Sequence, residues 1–128
     1  MLQPFEVVTA KLLPTIRARL AQVLLDEHHM KQVEVAKQLG ITQAAVSHYK
    51  TMSRGIDAEL VRLFPEIDAF VRGIAARIAD GMPQTEQVLE MSQLVERLMN
   101  TQRFCDYHKK VAAIDPMCSV CFPIPPKP

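Results

Sequence analysis

No run of about 18 apolar residues occurs in this chain, so no membrane-spanning helix is expected. The stretch MLQPFEVVTAKLLP lacks a basic segment followed by a long apolar one, which argues against secretion. There are only three cysteines, all after residue 104. An odd, late set is a poor disulfide framework and suits a reducing cytoplasm. No Gly-rich phosphate loop, no Ser/His/Asp order and no carboxylate pair stands out, so the expectation is a binding protein and not an enzyme. No internal repeat is apparent. Proline is frequent, with nine residues, but four of them fall in the last six positions, a tail expected to be extended.

What is present begins with an ordinary apolar fraction of 48% over 128 residues, enough for a core in one domain or in a small domain with an appendage. The organising stretch is 31–54, KQVEVAKQLGITQAAVSHYKTMSR. Lys31 to Leu39 is short and amphipathic, with Val33, Ala36 and Leu39 as its apolar side. Gly40 breaks the pattern where a tight turn needs positive φ. Ile41 can plug the gap between two helices, and Thr42 stands where an N-cap belongs. The second run, Gln43 to about Met52, puts Val46 and Tyr49 on one side and Gln43, Ala44, Ser47, His48 and Lys50 largely on the others. Small Ala36 allows close approach of two helices crossing through a short turn, the geometry of a helix-turn-helix.

Gln32, Ala36, Gly40, Ile41, Val46 and Ser47 together resemble the XRE-like class of regulators, the Cro- and lambda-repressor-like group. The resemblance implies that the helix after the turn enters the major groove of DNA. It implies base contacts for Gln43, Ala44 and Ser47 and phosphate contacts for Gln32 and Thr42. His48, Lys50 and Arg54 complete the candidate DNA-binding set. The chemistry agrees: Gln can bond adenine at two points, Ser is permissive, and an Ala methyl can touch a thymine methyl. Lys31, Lys37, Lys50 and Arg54 face a single acid, Glu34, over this stretch, and phosphate contacts need such a local excess. The plainer alternative is a helical hairpin that only packs or binds protein.

Around this unit the pattern is helical. Pro4 can begin a short helix with Phe5, Val8 and Leu12 on one side. Pro14 fits the first turn of a longer one, to about His28, with Ile16, Leu20, Val23 and Leu24 on its face. Adjacent His28 and His29 point about 100° apart on a helix and read as a solvated helix end. Asp57 can cap a short helix to Phe64, interrupted by Pro65. Glu66 to Ala79 carries the stripe Ile67, Phe70, Val71, Ile74 and Ile78, ended by Gly81 and Pro83. Thr85 can cap a further helix through about Gln102. Its apolar set, which includes Val88, Leu89, Met91, Leu94 and Leu98, is broader than one core contact needs and suggests a partner helix from a second copy. Burial on two sides within one chain is the alternative. Residues 57–99 hold an excess of acids and are expected to face away from DNA.

Residues 104–122 read FCDYHKKVAAIDPMCSVCF. Cys105 and His108 have C-x2-H spacing, and Cys118 and Cys121 have C-x2-C spacing. Two such pairs in tight turns close a tetrahedral shell, and Cys3His is an established structural zinc set. Zinc is the first reading of this one centre per chain. An iron–sulfur cluster is the second, since His replaces Cys in some clusters and apolar residues flank the ligands. A thiol oxidoreductase built on Cys118 and Cys121 lacks the expected strand–helix context.

The order of these parts is similar to a group of small prokaryotic regulators, especially archaeal ones, with an XRE-like unit near the N-terminus and a Cys/His group near the C-terminus. The expected fold is all-α, with about five to seven helices and a metal-held C-terminal turn region. The expected divisions are a DNA-binding domain (1–56), a helical dimerisation segment (57–102) and a metal region with its tail (103–128). The expected function is a cytoplasmic, homodimeric transcription regulator that reads a palindromic operator in double-stranded DNA. The alternative is an antitoxin-type protein-interaction module that also binds its own operator.

Overall fold

Proline sets the course of the first element. Pro4 opens helix α1 (Pro4–Val7), where its missing N–H is no loss, and Glu6 reaches back to accept a hydrogen bond from the Gln3 amide at 2.9 Å. The chain does not leave the helix at Pro14. A π turn (Val8–Leu12) joins α1 directly to α2 (Leu13–Asp26), with the Leu13 amide donating five residues back to Val8. A proline ring crowds the carbonyl four residues before it, and the wider turn accommodates that. The Thr15 hydroxyl donates to the Lys11 carbonyl at 2.7 Å. The two helices expected at the N-terminus are therefore one continuous run over 4–26. Of the expected face, Val8 and Leu12 are buried, with Val7 beside them, while Phe5 is 72% exposed.

The computed structural model describes residues 2–51 and 57–121, and over these it is all-α. After the first run come α3 (Gln32–Leu39), α4 (Gln43–Thr51), α5 (Ala58–Leu63), α6 (Glu66–Ala79), α7 (Gln84–Met99) and α8 (Gln102–Val111). Counting the first run once, the described residues form 7 helices, within the expected range. α2 is central. Its stripe of Ile16, Leu20, Val23 and Leu24 is buried, and α3, α4 and α6 pack against it. α6 presents Ile67, Val71, Ile74 and Ile78 to the same core, as its spacing predicts. Asp57 caps α5 by accepting from the amides of Glu59 and Leu60.

Two boundaries differ from expectation. α7 starts at Gln84 behind an extended Pro83, so Thr85 lies inside its first turn and is not its cap. α7 also stops at Met99, and Thr101 caps a separate α8 by accepting from the Phe104 amide at 3.2 Å. Within α7, Leu94 and Leu98 are buried, but Val88 and Leu89 are 64% and 57% exposed. The broad apolar face is therefore only partly covered. One contiguous core draws on residues from Val7 to Tyr107. Among the described residues, no helix is long and apolar enough to cross a membrane.

Candidate nucleic-acid interface and thiol cluster

α3 and α4 form the two-helix unit. The Lys31 amide donates to the Glu34 carboxylate at 3.4 Å and so starts α3. Gly40 ends it at φ 65°, in the left-handed region where a side chain is strained. The Ile41 amide then donates back to the Ala36 carbonyl at 3.0 Å. Thr42 caps α4, its Oγ1 accepting from the Ala45 amide at 3.0 Å, and its hydroxyl hydrogen has no acceptor among the described residues. Val46 and Val35 are fully buried between the helices and α2, with Ala36 at 6% exposure. The expected inward residue Val33 is instead 51% exposed, and Val35 takes its place. From the other side, Gln22 of α2 donates to the Tyr49 carbonyl at 3.2 Å and ties down the end of α4.

This packing leaves one surface of α4 in solvent. Gln43, Ala44, Ser47 and Lys50 are exposed, and Thr42 precedes them, also exposed. His48 is half-buried, its ring edge-on to Tyr49 with centroids 6.5 Å apart. Gln32 is half-buried at the start of α3. A recess of about 500 Å³ brings Gln32 and Lys50 together with Lys31, His29 and Asp26. Two candidates from different helices thus share one recess, with Lys31 added to them. Nothing in the sequence spacing predicts that recess, because it depends on where α4 ends relative to the start of α3. Arg54 lies outside the described residues.

The thiol cluster is arranged differently from the expected pair of tight turns. Cys105 and His108 lie on α8, and both are buried, at 5% and 8% exposure. The C-x2-H spacing is therefore one helical face and not a turn. Cys118 is half-buried and Cys121 exposed, in a non-helical stretch that folds back along α8. Lys109 donates to the Pro116 carbonyl at 3.1 Å, and Asp115 accepts from the Met117 and Cys118 amides. Burial pushes the Cys105 thiol above its usual range; nearby Lys109 pulls it down, and Cys121, Asp106 and Cys118 push it up. Cys118 and Cys121 thus both lie within electrostatic reach of Cys105.

His108 Nε2 donates to the Leu2 carbonyl at 2.8 Å, which leaves Nδ1 as the ring's acceptor. Histidines that bind metal commonly hold their other nitrogen in this way. In chemistry the donor set fits zinc or an iron–sulfur cluster. In geometry it is not assembled: among the described residues, no group of three or more His, Cys, Asp or Glu side chains is placed to hold an ion.

The sequence reading missed several polar contacts that join distant segments. The Tyr107 hydroxyl donates to Asp57, and Gln84 and Gln87 of α7 grip the end of α3 at Lys37 and Gln38. Such partners lie tens of residues apart, and local periodicity carries no trace of them. Comparison with protein-family models, with curated proteins and with solved structures finds no match to this chain.

Proposed function

We propose that this protein is a sequence-specific DNA-binding transcription regulator, working as a cytoplasmic homodimer on a palindromic site. The observation that carries the reading is the face of α4. Gln43, Ala44 and Ser47 stand exposed and uncharged on a short helix held rigidly by Gly40, Thr42 and Val46. Such a face is suited to base edges in a major groove. Lys50, Lys31 and Gln32 flank it where phosphates would lie. The resemblance of 31–54 to XRE-like regulators supports the same assignment. In this reading Thr42 offers its hydroxyl to a phosphate, while His48 and Arg54 stand at the edge of the contact.

Leu89, exposed on α7, supplies apolar surface for a second copy, whose two-fold symmetry matches a palindrome. Cys105, His108, Cys118 and Cys121 form the proposed metal centre, with zinc or an iron–sulfur cluster as its occupant. Bound there, the metal would fasten the segment after α8 to the rest of the fold.

The test is selection of bound duplexes from a random-sequence pool, repeated with Gln43→Ala. A palindromic preference should emerge, and the variant should lose about 1–3 kcal/mol and relax one base position in each half-site. An unchanged preference and affinity in the variant would remove α4 as the reading helix. Co-purification of an unrelated small chain on α7, with weak DNA binding, would favour the antitoxin-type reading.

A further inference from the structure

A cavity of about 860 Å³ lies between α7 and the α1–α2 run, with the end of α3 as a third wall. That volume falls within the range of about 300–1,000 Å³ typical of small-molecule sites. Leu13, Leu20, Ile74, Met91, Val95 and Met99 give it apolar walls. Its lining runs along α7 from Gln84 to Met99, about 22 Å at 1.5 Å per residue.

Several polar groups in this lining have unmet capacity among the described residues, and Arg17, Glu96 and Gln87 are three of them. Arg17 is exposed and has no acceptor among the described residues, as is true of Arg62 and Arg97, whereas Arg19, Arg72, Arg77 and Arg103 each hold a carboxylate. The Glu96 carboxylate likewise has no donor among the described residues, although Glu66, Asp68, Glu86 and Glu90 on the same two helices are all paired. Gln87 is only 8% exposed. Its Nε2 donates to both Gln38 Oε1 and the Met82 carbonyl, so its two hydrogens are used. Its Oε1 accepts nothing among the described residues. No sealed side-chain polar atom among them lacks a partner, so this oxygen is not sealed, and Gln87 lines the cavity.

One cation, one anion, several amide groups and apolar walls together call for a ligand with both charges and a backbone of its own. We propose that the cavity binds a short apolar peptide with free ends. Its carboxylate meets Arg17, its ammonium meets Glu96, a backbone N–H meets Gln87 Oε1, and its side chains cover the walls. A fatty acid would leave Glu96 and Gln87 unanswered, and a cationic amphiphile would leave Arg17 so. Four residues at about 3.5 Å each fit within the groove. The same cavity is walled by Gln38, Leu39 and Gly40, the turn that aims α4, so occupancy bears on the two-helix unit. Val88 lies in the lining and faces the peptide, while Leu89 lies outside it, so a second copy that rests on Leu89 is compatible with a bound peptide. The binding site stands without the DNA reading; only its consequence for DNA rests on it.

The test is calorimetry on the full chain without DNA, using dileucine, trileucine and tetraleucine, then N-acetylated and C-amidated forms of the best of them. One peptide should bind per chain. Amidation should weaken binding to the wild type by roughly 10- to 100-fold but leave Arg17→Gln unaffected. Acetylation should do the same to the wild type but not to Glu96→Gln. Both variants alter exposed, unpaired side chains and should fold. Ser92→Trp, which fills the groove, should abolish peptide binding without changing self-association. Failure of all three peptides to bind overturns the proposal, as does equal binding of free and blocked ends. Loss of self-association in Ser92→Trp overturns it in favour of a second copy as the occupant. Peptide binding without any DNA binding would retire the regulator reading and leave this one intact.

Discussion

Asp57 holds together three parts of the chain that are far apart in sequence. One carboxylate oxygen caps α5 through the Glu59 and Leu60 amides, the other accepts from the Tyr107 hydroxyl on α8, and its own amide donates to Thr15 on α2. Burial, then the bond to Asp57, pushes the ionisation of Tyr107 well above the ordinary phenol value. Tyr107→Phe should lower stability by about 1.5–3 kcal/mol at pH 7, because a hydrogen bond to a charged acceptor is lost; urea denaturation measures this. An unfolded phenol ionises near pH 10.0, and the folded one keeps its proton. This stabilisation is therefore complete below pH 10.0 and falls away above it, a decline that Tyr107→Phe should lack. The capping half of the Asp57 arrangement was legible, since an Asp before a periodic run is a local signal. The Tyr107 half was not, because its partner lies 50 residues away. Gly40 was legible for the same local reason, and its role is conformational. A Cβ there would meet Gln84 Nε2 at 3.5 Å, ordinary contact, so space is not the obstacle. Gly40→Ala should cost about 1–2 kcal/mol from the left-handed backbone alone, and Gly40→Asn less; thermal melts of the two variants would tell these apart.

At the scale of elements, periodicity located the helices and misjudged where some of them meet. α6 was readable to the residue because its stripe is regular and both ends carry punctuation. In α3, Val33 pairs with Ala36 at one helical spacing and Val35 with Leu39 at another. Docking against α2 chose Val35, which the short sequence alone could not do. α8 was obscured in another way. The C-x2-H spacing suits a metal turn and a helical face equally, and Thr101, the cap that decides for a helix, was absorbed into the preceding run. The helical answer fixes how a metal would be held. His108 has committed Nε2 to the Leu2 carbonyl, so Nδ1 is the nitrogen left for an ion, and Cys118 and Cys121 must close on it from the stretch that Lys109 and Asp115 fold back. Protein purified without oxygen should carry one zinc per chain and be colourless, or carry iron with matching sulfide and be brown. Cys105→Ser and Cys118→Ser should each lower that content. Metal-free protein with its full helical signal would remove the centre from the proposed function.

Across the whole molecule, charge is sorted by whether it is already answered. The acids of α5, α6 and α7 are largely engaged within the chain: Glu59 with Lys110, Glu66 with Arg103, Asp68 with Arg19, and Glu86 and Glu90 with Arg77. The two-helix unit differs. Lys31, Lys37 and Lys50 have no acid partner among the described residues, and Glu34, the one acid there, is turned back to the Lys31 amide. Net charge over the chain is only +1, so an average over the surface hides this division. An unpaired lysine keeps its hydration and its counterions until a phosphate replaces them, and that exchange gives DNA binding its salt dependence. The acidic helices, already neutralised in part, contribute little repulsion at physiological ionic strength, where charges separated by more than about 8 Å are screened. Affinity for non-specific duplex should therefore fall steeply with salt. Lys50→Ala should weaken all sequences alike and reduce the slope of log K against log salt by about one, whereas Gln43→Ala should leave that slope unchanged. Fluorescence anisotropy over a salt series on both variants makes the comparison. Equal slopes for the wild type and Lys50→Ala would mean that the recess shared by Lys31, Gln32 and Lys50 does not face the DNA backbone, and the docking of α4 would have to be turned about its own axis.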